Sequence, residues 1–145
     1  MKKIFLTILL CGILTFTLTG CFNKRNYELT IPKEEDLKSI SFEKNDKKTE
    51  ISSSEDIKDI IDLLNGSDKG RTTNEESIQD YPVNAEDVIK IEFNFKEKGN
   101  TILFIYKKNG KMFVESPYNG IYKIKEDEYN SIEKYIKNSK NSSDN

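Results

Sequence analysis

Between residues 87 and 124 the chain is a row of short alternating segments separated by turns. No other feature limits the fold as much. Ile89, Ile91, Phe93 and Phe95 alternate with Lys90, Glu92, Asn94 and Lys96. Successive side chains of a strand point to opposite faces, so this strand turns one face to a core and the other to water. Gly99-Asn100 reverses the chain. The next run, 102–106, is apolar on both faces and reads as a central strand. Asn109-Gly110 then offers positive φ at both central positions of a type I′ turn. Met112-Phe113-Val114 continues the sheet, and Ser116-Pro117-Tyr118-Asn119-Gly120 forms another turn in which Pro117 ends the ladder. Residues 121–124 are a last brief strand. The polar face formed by Lys90, Glu92, Asn94 and Lys96 is expected to be solvated.

Upstream, Ser39-Ile40-Ser41-Phe42 and Thr49-Glu50-Ile51 alternate around an Asn45-Asp46 turn, so 38–51 reads as a hairpin. Ile57, Ile60, Ile61 and Leu64 then fall on one helical stripe. Ser52 with Glu55 has capping-box spacing, and Gly66 suits a left-handed C-cap. The spacing predicts a helix over 53–65. Residues 67–85 have no period. Loops of that length in compact domains are usually functional or unordered, and a short strand through Arg71-Thr72-Thr73 would shorten this one. Glu126-Asp127-Glu128 opens a final helix with acids at its positive end, and Tyr129, Ile132, Tyr135 and Ile136 form its buried face. The order ββ-α-βββ(β)-α predicts an α+β fold, an antiparallel meander with two helices packed on one face.

The N-terminus carries a different signal. Lys2-Lys3 precede an apolar run from Ile4 to Leu18, too short to span a bilayer. The run ends in Leu18-Thr19-Gly20-Cys21, which resembles a bacterial lipoprotein signal. In such signals cleavage falls between Gly20 and Cys21, and the Cys21 thiol receives a diacylglyceryl group. The expected organisation is a leader at 1–20, a polar tether at 21–36 with room for a short strand around 27–31, a domain at 37–138 and a disordered tail at 139–145. The expected location is the outer face of the cell membrane, held by lipid on Cys21.

Composition restricts the chemistry. The chain has no His and no Trp, and of its 2 Cys, Cys11 lies in the leader. Lipidation of Cys21 would leave no disulfide, no His base, no Ser-His-Asp or Cys-His machinery and no His or thiolate zinc site. Without the two leader lysines, 21 basic residues face 25 acidic ones, a net charge of −4 with both signs interspersed. That is not a nucleic-acid footprint. Glu75-Glu76 and Glu126-Asp127-Glu128 lack the ligand spacing of a calcium site. No metal and no cofactor are expected.

The stretch Val114-Glu115-Ser116-Pro117-Tyr118-Asn119-Gly120-Ile121-Tyr122-Lys123-Ile124, followed by a Tyr/Ile helix, resembles a family of small secreted lipoproteins of Gram-positive bacteria. The Asn-Gly hairpin and the alternating strand before it match as well, over about residues 37–137. The resemblance implies a domain of unknown function and brings no catalytic residues.

Two candidate sites stand beside simpler explanations. Tyr118 and Tyr122 flank the Asn119-Gly120 turn and could offer rigid aromatic contact area, or Tyr122 could pack under a helix. Arg71, with Thr72, Thr73 and Ser77 nearby, could grip an anionic group through its planar fork, or it could be a solvated loop side chain. The expected function is a non-enzymatic, membrane-anchored binding module for a protein, peptide or cell-wall ligand. The alternatives are an immunity or inhibitor lipoprotein against a toxin or hydrolase, and a small enzyme built on carboxylates or tyrosine.

Overall fold

A computed structural model describes residues 25–66 and 70–138. Gly20, Cys21, the leader and the 139–145 tail lie outside the described residues.

The elements are β1 (Tyr27–Glu28), a 3-10 turn (Glu34–Asp36), β2 (Leu37–Lys44), β3 (Lys47–Ile51), α1 (Ser54–Asn65), β4 (Thr72–Thr73), β5 (Glu86–Phe95), β6 (Asn100–Lys108), β7 (Lys111–Ser116), β8 (Gly120–Ile124) and α2 (Glu126–Asn138). Six strands form one antiparallel sheet in the order β3-β2-β5-β6-β7-β8, and β1 pairs with β4 in a two-stranded ribbon. The meander, the hairpin and both helices stand where the sequence places them. Asn45 and Asp46 both take positive φ, as do Asn109 and Gly110, so each hairpin uses the turn geometry that matches strand twist.

Register explains the core. Ile89 pairs with Ile105, Ile105 with Val114, and Val114 with Tyr122. This row crosses four strands on one face and is sealed from solvent. Phe42, Ile91 and Leu103 form a second row. Ile57, Ile60, Ile61 and Leu64 of α1 and Tyr129, Ile132 and Ile136 of α2 close over these rows in one cluster.

Three details differ from expectation. The segment read as a tether joins the fold from Tyr27 onward: Leu29 is buried in the core, its N–H donates to the Arg71 carbonyl at 2.9 Å, and Lys96 N–H donates to the Asp36 carbonyl. The cap of α1 is Ser53 rather than Ser52, because β3 runs through Ile51 and the helix starts at Ser54; the Ser53 hydroxyl accepts from Asp56 N–H. The short strand offered through Arg71-Thr72-Thr73 is present as β4, but the pairing past it was not expected: Glu76 bridges to Gly120, with Ile121 N–H donating to Glu75 O and Ser77 N–H to Asn119 O.

Candidate functional site

Arg71 stands just before β4 and reaches the C-terminus of α1. Its Nε donates to Leu64 O at 2.7 Å and its Nη2 to Leu63 O at 3.1 Å, satisfying carbonyls that a helix end leaves without partners. Nη2 also meets Glu128 Oε1 at 2.7 Å, and Nη1 reaches Lys123 O at 3.4 Å. The other Glu128 oxygen accepts from Lys125 N–H at the start of α2. Arg71 therefore binds a carboxylate, but an internal one, and joins the end of α1, the end of β8 and the first turn of α2. Neither the ligand grip nor the solvated loop arginine describes it.

The two tyrosines separate. Tyr122 is 1% exposed and belongs to the core. Its hydroxyl lies between Gly120 and Thr73 and is a buried polar atom without a hydrogen-bond partner. Burial, with Glu28 nearby, pushes its pKa up to about 12. Packing under the helices is thus the correct expectation for Tyr122. It also borders a polar hollow of about 630 Å³ between β4 and β8, whose other walls include Asn26, Thr73, Asn74 and Lys123.

Tyr118 is 66% exposed, at φ 58°, and donates to Asp80 Oδ1 at 2.7 Å. That bond ties the β7–β8 turn to the 74–85 loop. Ile78, Tyr81 and Val83 of the same loop are 75%, 56% and 50% exposed, and with Tyr118 they are the large exposed apolar side chains among the described residues. Beneath them the loop is fastened to the sheet face opposite the helices. Ser77 and Tyr106 hydroxyls donate to the two oxygens of buried Glu115 at 2.6 and 2.9 Å. Tyr81 stands edge-on to Phe104 with ring centroids 5.1 Å apart, and Pro82 is buried. Burial, followed by the bond to Glu115, holds the Tyr106 hydroxyl above its ordinary pKa. The loop therefore presents apolar side chains outward from a fixed base. The polar face farther along the sheet is half-buried rather than fully solvated, with Asn94 donating to Ser39 and Ser41.

Sequence reasoning singled out Tyr118 but missed Ile78, Tyr81 and Val83. Their signal was large apolar residues in a segment without period. Among the described residues no three His, Cys, Asp or Glu side chains are grouped to hold a metal. A cleft of about 670 Å³ between α1 and α2 carries Asp59, Asp62 and Glu128. Two of these are already engaged, Glu128 by Arg71 and Asp59 by the Tyr135 hydroxyl at 3.3 Å.

These features define a class of protein: a small α+β domain with one antiparallel sheet, helices on one face and an anchored apolar loop over part of the other. Within that class, the chain belongs to DUF5301, a family described as "Domain of unknown function (DUF5300)", whose profile matches residues 25–123. No curated protein and no solved structure matches the chain. The family match takes in β1, which agrees with its place in the fold, and stops before α2.

Proposed function

We propose that this protein is a lipid-anchored, non-enzymatic binding module on the outer face of the cell membrane, and that it docks a protein or peptide partner on the loop carrying Ile78, Tyr81 and Val83 together with Tyr118. The observation that carries this reading is the exposure of three large apolar side chains on a loop fastened from below through Ser77, Tyr106 and Glu115, with a fourth, Tyr118, on the turn tied to it. Exposed apolar side chains grouped on an ordered surface mark interaction sites. The Leu18-Thr19-Gly20-Cys21 sequence supports the anchor, and two or three acyl chains would make it durable. The lack of His, with a single cysteine left after removal of a leader carrying Cys11 and that one occupied by lipid, supports a role without catalysis. The chain enters the fold beside this surface, since Asn119 Nδ2 donates to Glu28 O. Five residues separate Cys21 from Tyr27, so the two lie at most ~20 Å apart along the chain. A partner held here would sit close to the membrane.

The test combines mass spectrometry of the protein from its native membranes with photo-crosslinking from positions 78 and 83. The expected result is a chain beginning at acylated Cys21 and one crosslinked partner that disappears in the Ile78→Ser/Tyr118→Ser variant. A captured toxin or hydrolase would narrow the role to inhibition. An uncleaved chain with unmodified Cys21 overturns the anchor. Crosslinks that survive the double substitution overturn the surface.

A further inference from the structure

The docking loop is acidic as well as apolar. From Thr72 to Ile89 the chain contains Glu75, Glu76, Asp80, Glu86 and Asp87 and no Lys or Arg, in a protein with 23 Lys and Arg in 145 residues. All five carboxylates are exposed. Asp80 accepts from Tyr118, and Asp87 pairs with Lys107 at 3.1 Å. Glu75, Glu76 and Glu86 form no ion pair among the described residues. The adjoining turn, Ser116-Pro117-Tyr118-Asn119, is uncharged and offsets none of this. Three apolar side chains therefore project from a segment of one charge sign, and the fourth, Tyr118, from the uncharged turn beside it.

We infer that the partner is a cationic polypeptide segment in which Lys or Arg alternates with apolar residues. This rests on the docking surface proposed above and names its occupant by charge complementarity. Apolar side chains would cover Ile78, Tyr81, Val83 and Tyr118, while flanking cations approach Glu75, Glu76 and Glu86. Complementary rim charges raise the association rate and select among partners more than they add affinity. The same carboxylates argue against the membrane as occupant, because an anionic lipid surface attracts basic segments and repels acidic ones. They also oppose pairing of the loop with its own copy.

The full-length protein in phosphatidylcholine nanodiscs is titrated with a short peptide alternating lysine and leucine and carrying one tryptophan. The protein has no Trp, so peptide fluorescence reports binding without background. The expected result is saturable binding that weakens by about tenfold in the Glu75→Gln/Glu76→Gln/Glu86→Gln variant. Neutralising three acids elsewhere (Glu50→Gln/Glu55→Gln/Glu97→Gln) should leave it unchanged, and Ile78→Ser/Tyr118→Ser should abolish it. Equal weakening by the two charge variants overturns the inference, as does equal binding of a peptide with serine in place of lysine. That second result, if still lost in Ile78→Ser/Tyr118→Ser, leaves the docking surface standing. Absence of any binding overturns the cationic occupant, while the native crosslink separately decides the surface. Self-association or vesicle binding that depends on Ile78 and Tyr118, with no peptide binding, assigns the surface to another occupant and overturns the inference.

Discussion

At Gly120 a methyl group has no space. A Cβ there would lie 2.7 Å from the Tyr122 hydroxyl and 2.8 Å from Thr73 Cγ2. Gly120→Ala should therefore cost about 1–3 kcal/mol, read as a lower urea midpoint. Tyr122→Phe removes the closest of three clashing atoms, leaving the ring Cζ at 2.9 Å, and also removes an unpartnered buried hydroxyl, whose desolvation costs about 1–3 kcal/mol. Tyr122→Phe alone should leave stability equal or higher, and the double variant should recover part of the alanine loss. A destabilised Tyr122→Phe would mean that the hydroxyl has a partner. Arg71 behaves differently, because each of its contacts is specific to a planar fork. Arg71→Lys keeps the charge but cannot serve two helix carbonyls and Glu128 together. It should lose about 2 kcal/mol, close to the loss of Arg71→Ala, and equilibrium unfolding of both variants checks this. Gly66 belongs to the same arrangement: it sits at φ +75°, with the Arg71 guanidinium 2.9 Å from where a Cβ would stand.

Among the elements, α2 has weight beyond its position at the end of the chain. It supplies Tyr129, Ile132 and Ile136 to the core, Glu128 to Arg71 and Glu133 to Lys44. The Lys44 ammonium holds the Glu133 carboxyl below its ordinary pKa through a direct hydrogen bond. Each buried side chain of this size contributes roughly 1.5–3 kcal/mol, so the three approach the whole stability of a small domain. A chain ending at Ile124 should lose its cooperative melting transition in circular dichroism, although it contains all of the family match. Elements with strong periodicity were legible in advance: α1, the β5–β8 meander and the β2–β3 hairpin follow from alternation, stripe and turn residues. The strand at Thr72–Thr73 was legible too, but the pairing of residues 75–77 with 119–121 was not, because it is long-range and no local propensity reports it. The alternation of Tyr27, Leu29 and Ile31 hinted at a strand, but that it joins the core rests on pairing with the segment at Arg71, which no local pattern reports. Arg71 itself could be flagged as chemically capable, but which carboxylate it meets depends on how α2 returns to the sheet.

For the whole molecule, tyrosines form much of the interior. Burial is the leading cause that raises the pKa values of Tyr106, Tyr122 and Tyr129 above the ordinary 10.0. A group whose folded pKa exceeds its unfolded one stabilises the fold below the unfolded value, and that contribution is lost as pH rises toward the folded value. Stability should thus stay level on this account below pH 10 and fall steeply by about pH 12, where Tyr122 ionises. Tyrosinate absorbance from the buried tyrosines should rise in a step that coincides with loss of helical circular dichroism. A single smooth titration near 10 with the fold intact would contradict this. The entry of the chain beside the β7–β8 turn adds a mechanical consequence. Tension applied at residue 25 reaches Asn119 through the Glu28 carbonyl and Arg71 through the Leu29 amide before it loads the large sheet. The two-residue β1–β4 ribbon lies in that path as a weak link in series with the 74–85 loop. Were the chain anchored as proposed above, a pull from its N-terminal side would slacken the hold on the β7–β8 turn and on β4 while the core stayed shut, so the fold would yield first where the chain enters it.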